Sequence, residues 1–233
     1  MRWPVALQFR CMTHPPISPD STVGSIVAAR PSLARLFERV GIDYCCGGGR
    51  TLAVVCATKG LDPVTFAVTL EAAAALPSSD VEIDAAAMSL TALADHIEAT
   101  HHRYLKAELP ALVEKADRVA KKHGWRDARL VPVAETMRGL AEEMIQHMAK
   151  EEIVLFPLVR ELERSGAISG PCGSIANPIR QMESEHDGAG AAVARLRELT
   201  DGFVPDANAC NTHRAMLAGF AELEADLHQH VHK

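Results

Sequence analysis

Hydrophobic residues recur every three to four positions over the later part of the chain, which is the spacing of amphipathic helices. The pattern predicts four long helices, at roughly 86–122, 130–164, 174–200 and 212–233. The segments between them are rich in Gly, Pro, Asn and Asp, as is typical of loops. Four amphipathic helices joined in this way favour an up-down four-helix bundle, which we assign to residues 81–233.

The N-terminal part of the chain has a different pattern, with shorter apolar segments and more frequent breaks. Residues 1–20 include the Pro-rich stretch THPPISPD and are predicted to be disordered or extended. Residues 21–77 are predicted to form a small helical domain, in which Asp62 caps one helix and Pro63 occupies its first position. The stretch PSSD at 77–80 is predicted to link this domain to the bundle. The predicted fold class is therefore all-α.

Composition and charge exclude several classes of protein. Hydrophobic residues make up 48% of the chain but aromatic residues only 4%, and the abundance of good helix formers favours helix over sheet. The formal net charge is -6 and no basic stripe is present, so nucleic acid is not an expected partner. No apolar run reaches the roughly 18 residues that a membrane-spanning helix needs, and the N-terminus is a poor signal peptide. We therefore expect a cytoplasmic protein without a membrane partner.

Polar residues interrupt the apolar faces of the predicted bundle helices. His147 and Glu151 lie four positions apart on the apolar stripe of the second helix, so their side chains share one face. A carboxylate in a bundle core costs free energy unless it is paired or bound to a metal. His186 lies at the centre of the stripe of the third helix, and His230 lies at the edge of the fourth. These residues mark the core as a candidate metal site.

The first predicted helix is less clear. His123 continues its apolar stripe, whereas His101 and His102 lie about equally far from the centre of the stripe, so periodicity does not choose between them. Any one of these histidines alone is more simply interpreted as a core residue bonded to a backbone carbonyl. Inward histidines on all four helices instead favour a non-haem metal site. Imidazole and carboxylate suit iron, or manganese, and so many ligands predict two ions rather than one tetrahedral zinc.

Several stretches resemble the hemerythrin-like domain, namely HH before LKAELP, then KHG, HMAKEEIVLFP, MESEHD and DLHQHVH. More closely, the chain resembles the di-iron proteins for repair of iron centres, whose N-terminal domain carries Asp-Tyr-Cys-Cys-Gly-Gly. The stretch DYCCGGG stands here at 43–49, and the resemblance extends from about residue 21 onward. It implies a di-iron centre bridged by two carboxylates. The ligands that it implies are His102, His123, His147, Glu151, His186 and His230.

The resemblance also raises a question about the end of the chain. It selects His102 over His101 by register, and it makes Glu151 one bridging carboxylate. The second bridge would be a glutamate four residues after His230, at position 234, whereas the sequence ends at Lys233. We therefore expect the last helix to be truncated and the di-iron centre to be incomplete. The alternatives are that another group, such as the terminal carboxylate of Lys233, takes the place of the glutamate, or that the site holds only one iron tightly.

The function that the resemblance implies is repair of iron–sulfur clusters damaged by nitric oxide or hydrogen peroxide, with donation of iron as one route. Damaged iron–sulfur proteins would then be the partners, and a homodimer is a further expectation. An alternative is a protein that binds, scavenges or senses nitric oxide or oxygen at the same centre, with a nitric oxide reductase-like activity as one form of it. A third hypothesis is a bundle whose histidines bind no metal. A conventional hydrolytic enzyme is not expected, because no arrangement of nucleophile and base is legible.

Cys45 and Cys46 lie together in a Gly-rich turn just before a short predicted helix. A helix N-terminus and the nearby Arg50 would lower the pKa of such thiols and make them reactive. The resemblance gives them a redox, iron-transfer or dimer-contact role, and the simpler interpretation is two small residues in a tight turn. Cys56, Cys172 and Cys210 are isolated in sequence and are predicted to be structural.

Overall fold

The computed structural model describes residues 15–44, 47–75, 85–166 and 175–232. The chain divides into two compact units. The first comprises Met1–Ile42 and Gly47–Glu82, and the second comprises Asp43–Cys46 and Ile83–Lys233. Within the described ranges all the regular elements are helices, apart from an isolated bridge between Thr22 and Thr51, so the all-α prediction is confirmed.

The first unit is built from short helices whose ends are fixed by side chains. They are α1 (Val23–Ala29), α2 (Ala34–Arg39), which follows a single 3-10 turn at Pro31–Leu33, α3 (Leu52–Lys59) and α4 (Pro63–Ala74). The carboxylate of Asp62 accepts a hydrogen bond of 2.7 Å from the amide of Thr65, and Pro63 stands at the first helical position, as the sequence predicts. The rings of Phe37 and Phe66 meet edge to face in the core.

The second unit contains the predicted bundle. After a 3-10 turn at Ala85–Ala87, its helices are α5 (Leu90–Ile97), α6 (Arg103–His123), α7 (Leu130–Lys150), α8 (Phe156–Ser165), α9 (Ala176–Leu199) and α10 (Asn211–His232). A π-helical segment at Glu98–His102 joins α5 to α6, and another at Glu151–Leu155 joins α7 to α8. The four long helices of the bundle are therefore α5–α6, α7–α8, α9 and α10.

The apolar stripes of these helices pack into one core. Leu105, Leu109 and Leu112 of α6 are fully buried, and they pack with Met137 of α7 and Phe220 of α10 in a single hydrophobic cluster. Burying one such side chain contributes about 1.5–3 kcal/mol, so packing rather than intrinsic helix propensity holds the bundle together. Gly219 lets α10 approach α6, because a Cβ atom there would lie 2.5 Å from Cδ2 of Leu112.

The two π-helical segments change which residues face the core. A π-turn accommodates one more residue than an α-turn and is found often at functional sites. In the segment Glu98–His102, the consecutive residues His101 and His102 are both buried, each with 1% of its surface exposed. A regular α-helix would have turned one of them away from the core.

No single helix of the described ranges is long and apolar enough to cross a membrane, and only the bent pair α3 and α4 passes the same length and composition test together.

Candidate metal centre

The four long helices of the bundle deliver imidazole and carboxylate groups to one place. His102 is the last residue of the first π-helical segment, and Glu151 is the first residue of the second. His147 lies one turn before Glu151 on α7, His186 lies in the middle of α9, and His230 lies in the last turn of α10. All but His186 are nearly fully buried, and His186 is half-buried.

The potential ligand atoms of these side chains form two overlapping groups. His102, Glu151 and His230 make one group, and His147, His186 and His230 make the other. Within each group the ligand atoms all lie within 4.8 Å of one another. His230 belongs to both groups, so the two are neighbours.

Oε2 of Glu151 is the point on which three of the imidazoles converge. It lies 3.0 Å from Nε2 of His102, 3.4 Å from Nε2 of His147 and 3.5 Å from Nε2 of His230. A proton or a metal cation can occupy the space between such an Nε2 atom and the carboxylate. A metal cation can contact the carboxylate and several imidazoles at once, whereas a proton is shared between only two atoms.

Two further carboxylates orient the imidazoles from outside. Glu152 Oε1 lies 2.8 Å from Nδ1 of His102 and accepts a hydrogen bond of 2.6 Å from Nζ of Lys106. Glu185 Oε2 lies 2.9 Å from Nδ1 of His147, and its other oxygen accepts from Lys150. Because Nδ1 donates to a carboxylate, Nε2 is left facing inward as a ligand atom.

The electrostatics of the cluster favour a cation. Burial alone would raise the pKa of the Glu151 carboxyl, but hydrogen bonds from three imidazoles outweigh burial and hold that pKa far below its usual range. Burial also opposes the charged form of His147, yet Glu151 and Glu185 outweigh it and raise the pKa of this imidazole. The carboxylates are therefore ionised at neutral pH, and they attract positive charge into the bundle.

The imidazoles of His186 and His230 are neutral at pH 7. Burial, reinforced by the nearby His147 and His230, lowers the pKa of His186 to about 4. Burial likewise lowers the pKa of His230. Nε2 of His186 lies 3.0 Å from Nε2 of His147, and Nε2 of His102 lies 3.3 Å from Nε2 of His230. Two ring nitrogens that face each other can share only one proton, and a metal ion between them would bind both.

One buried ring nitrogen beside the centre has no partner among the described residues. Nδ1 of His230 makes no hydrogen bond with any part of the chain that the structure describes. Nε2 of the same ring is the atom that faces Glu151, so Nδ1 is not itself directed at the ligand group. The convergent imidazoles and the carboxylate are a donor set that fits a non-haem metal such as iron.

The predicted ligand His123 does not reach this cluster. It is the last residue of α6, 21 positions after His102, which corresponds to roughly 30 Å along a helix. It lines a different cavity, together with His213 and Cys210. One ion cannot contact both ends of α6, so His123 must be removed from the ligand set that the resemblance implies. The position of His123 on the apolar stripe indicated which face of the helix it occupies, but not how far along the bundle axis it lies.

The cysteines considered in the sequence lie partly within and partly outside the described residues. Cys45 and Cys46, the predicted redox or iron-transfer pair, lie outside the described residues, as does Cys172. Cys56 is a buried free thiol in α3, and Cys210 is a half-buried free thiol.

The outer carboxylates Glu152, Glu185 and Asp226 were not predicted as functional residues from the sequence pattern. Asp226 Oδ1 lies 2.8 Å from Nδ1 of the buried His101. A signal was present for the first two, since Glu152 directly follows Glu151 and Glu185 directly precedes His186. Adjacent residues on a helix do not share a face, and each of these carboxylates therefore serves a histidine of another helix.

The fold and this site define a class of protein, namely a helical bundle that binds a cation through buried histidine and glutamate side chains. The family model described as the hemerythrin HHE cation binding domain matches residues 93–233. A model described as a domain of unknown function (DUF542) matches residues 19–74.

Curated relatives extend the match to almost the whole chain. A protein of an Enterobacter strain called iron-sulfur cluster repair protein YtfE is 35% identical over 214 residues, which are 91% of each chain. Its namesake from Pectobacterium carotovorum is 35% identical over 216 residues, covering 91% of this chain and 92% of that one. The Escherichia coli protein of the same name is 33% identical over 212 residues, again 91% of each chain. The chain therefore belongs to the family of iron–sulfur cluster repair proteins with a hemerythrin HHE domain, and the predicted resemblance is confirmed.

Proposed function

We propose that this protein restores iron–sulfur clusters damaged by nitrosative or oxidative stress, and that its bundle holds two non-haem iron ions for that purpose. The observation that carries the proposal is the pair of overlapping ligand groups that share His230. The names of the relatives point to the same function. Damaged iron–sulfur proteins would be the clients.

The two ligand groups suggest how the chain would hold the iron. His102 and His230 would bind one ion, and His147 and His186 would bind the other. Glu151 would bridge the two, since its Oε2 lies within 3.5 Å of imidazoles from both groups. Iron bound there would be redox-active, and it could also be transferred to a client protein.

The surrounding residues would keep this cargo exchangeable rather than permanently trapped. Glu152 and Glu185 fix the orientation of one histidine in each group, whereas Nδ1 of His230 has no such support within the described residues. A ligand without an orienting partner binds a metal less firmly than one that has it. His230 would therefore be the ligand that yields first when iron is transferred.

A reconstitution experiment tests the proposal. A [4Fe–4S] enzyme is inactivated with nitric oxide, freed of excess reagent, and incubated anaerobically with the iron-loaded protein. Recovery of enzyme activity is expected, and it should exceed the recovery given by an equal amount of free ferrous iron in the presence of a chelator. Recovery no greater than that with free iron would contradict the proposal.

Two variants serve as controls in this experiment. Glu151→Ala removes the shared carboxylate, and we expect it to abolish both iron binding and repair. The double variant Cys45→Ser/Cys46→Ser should keep its iron, so its repair rate separates iron storage from a transfer role of the thiols. An unchanged repair rate in that variant would remove the cysteines from the proposed mechanism and leave the metal centre in it.

A further inference from the structure

The last turn of α10 carries His230 and needs support that the helix itself does not supply. The last four carbonyl groups of a helix have no partner within it, so a terminal turn opens more readily than the middle of a helix. His230 lies in this turn, two residues before α10 ends at His232. Whatever packs against this turn from outside therefore affects how firmly His230 is positioned.

A tyrosine packs against the last turn of α10. Tyr44 belongs to the segment Asp43–Cys46 of the second unit, and only 1% of its surface is exposed. Its ring meets the ring of His228 edge to face, with the centroids 5.6 Å apart, and meets the ring of His232 in the same way at 5.5 Å. His228 and His232 are four positions apart and share one face of α10, which lets a single tyrosine ring contact both.

Tyr44 and the metal centre lie on opposite sides of α10. Successive residues of an α-helix are about 100° apart around its axis, so the side chains of His228 and His230 leave the helix about 200° apart. Nε2 of His230 lies 3.5 Å from Oε2 of Glu151 in the bundle core. The turn that carries His230 is therefore held between the metal centre on one side and Tyr44 on the other.

Ring packing, and not a hydrogen bond, orients His228 in this contact. Nδ1 of His228 has no partner within the described residues. Its Nε2 atom lies 3.9 Å from Oδ1 of Asp43, which is beyond hydrogen-bond distance. Edge-to-face contacts between aromatic rings are directional, so the two contacts of Tyr44 limit both the displacement and the rotation of the turn.

We propose that Tyr44 is a positioning residue for the iron ligand His230 and that it acts through His228 and His232, which enclose its ring. This inference rests on the proposed function, because it takes His230 as an iron ligand. While Tyr44 is in place, the last turn of α10 is held and the imidazole of His230 stays next to Glu151. Withdrawal of Tyr44 would loosen the ligand that yields first when iron is transferred.

The position of Tyr44 in the sequence gives this support a part in iron release. Tyr44 directly precedes Cys45 and Cys46, the pair to which the family resemblance gives a transfer role. A client protein that engages this segment and displaces Tyr44 would thereby weaken the hold of His230 on its iron. Iron would then be released where a client is bound and retained elsewhere.

Hydrogen exchange of the full-length, metal-free protein tests the positioning role without depending on iron. Tyr44→Ala removes both ring contacts, and the amides of His230, Val231 and His232 should exchange about tenfold faster than in the wild type. Tyr44→Phe keeps the ring and should restore wild-type exchange. Unchanged exchange in Tyr44→Ala, or an equal increase in Tyr44→Phe, would overturn the proposal.

A double-mutant cycle shows whether the effect passes through the two histidines. His228→Ala/His232→Ala should also speed exchange of the Val231 amide, although alanine favours the helix more than histidine does. Adding Tyr44→Ala to this variant should then change the rate less than about twofold, because the contact is already lost. A further tenfold increase, or no effect of the histidine substitutions, would contradict the proposed route.

Transfer of iron to a chelator tests the consequence for the ligand. Iron should leave Tyr44→Ala about tenfold faster than the wild type, and Tyr44→Phe should behave as the wild type does. Equal rates in Tyr44→Ala and the wild type would overturn the link between Tyr44 and His230. No client enzyme is present in these experiments, so cluster repair can fail while the positioning role stands, and the reverse.

Discussion

Histidines lie at both ends of the bundle, but they differ in how deeply they are buried and in whether neighbouring side chains orient them. At the metal centre, His102, His147 and His230 are almost completely buried, and carboxylates orient two of them. At the other end, His123 and His213 border an open cavity, and no other side chain fixes the orientation of their rings within the described residues. An inward histidine in a sequence therefore does not identify a ligand; a ligand also needs neighbours that enclose and orient it.

The largest expected effect separates the two ends directly. His147→Ala removes a buried imidazole that we propose as a ligand next to Glu151, and we expect the variant to lose most of its iron because Glu151 then loses one of the imidazoles that hold it. His123→Ala should retain wild-type iron. Elemental analysis after anaerobic reconstitution measures both. Equal iron loss in the two variants would mean that the two ends are not independent.

A core substitution between the two ends of the bundle should lower the stability of the fold without affecting iron binding. Leu112 is completely buried between α6 and α10, and Leu112→Ala should lower the free energy of unfolding by about 2–5 kcal/mol. Val131→Ala, at a side chain that is 47% exposed, should change it by no more than about 0.5 kcal/mol. Urea denaturation checks both, and iron content under native conditions should be unchanged. Selective loss of iron from Leu112→Ala would show that packing and metal binding are coupled more tightly than we expect.

A smaller effect is expected from the carboxylates outside the ligands. Glu185→Gln keeps the shape of the side chain but removes the charge that orients His147, so iron affinity should fall about 10–100-fold. Competition with a chelator measures the affinity. Glu183→Gln, at an exposed position on the same helix, is the matched control and should be neutral. Equal affinity in Glu185→Gln and in the wild type would show that this carboxylate does not orient His147 for metal binding.

The smallest effect lies outside both ends, in the first unit. Glu71 accepts hydrogen bonds from the amide of Ile17 at 2.6 Å and from Arg30 at 3.1 Å, and the first of these does most to lower the pKa of its carboxyl. A carboxyl whose pKa is lowered on folding stabilises the fold above its unfolded pKa of about 4.3, and this contribution is lost as the pH falls through the lowered value.

Acidification should therefore loosen the segment around Ile17 in the wild type more than in Glu71→Gln, which lacks the titrating group. Hydrogen exchange of the Ile17 amide, compared between the two proteins at each pH, measures this difference. The metal centre should not respond to the substitution at neutral pH. Identical pH dependence in the two proteins would show that Glu71 does not stabilise this segment.

Much of the fold could be predicted because helical periodicity reports which face of a helix is buried. It gave the four long helices of the bundle, the cap at Asp62, and the inward positions of His147, Glu151 and His186. Periodicity does not distinguish His101 from His102, because a regular α-helix would bury only one of them, whereas both are buried in a π-helical segment.

The assignment of His123 as a ligand and the failure to predict the outer carboxylates have a common cause, which is not the π-helical geometry. Periodicity gives the face of a residue and not which residues of other helices lie at the same height. His123 lies on the correct face at the wrong end, and Glu185 supports a histidine on another helix. Such relations depend on how helices are aligned along the bundle axis, which loops and core packing determine.

The π-helical segments have a consequence for insertions and deletions. One extra residue is stored in the wide turn at Glu98–His102, so α5 and α6 can both keep their apolar sides inward. Deleting Ala99 would remove this extra residue and restore a regular hydrogen-bond ladder, with α5 and α6 keeping their alignment. Ala94 and Ile97 would keep their packing against Phe156, with which they form a small cluster of buried residues. His101 and His102 could then no longer both face the core, so the wide turn is what allows two consecutive imidazoles to be buried there.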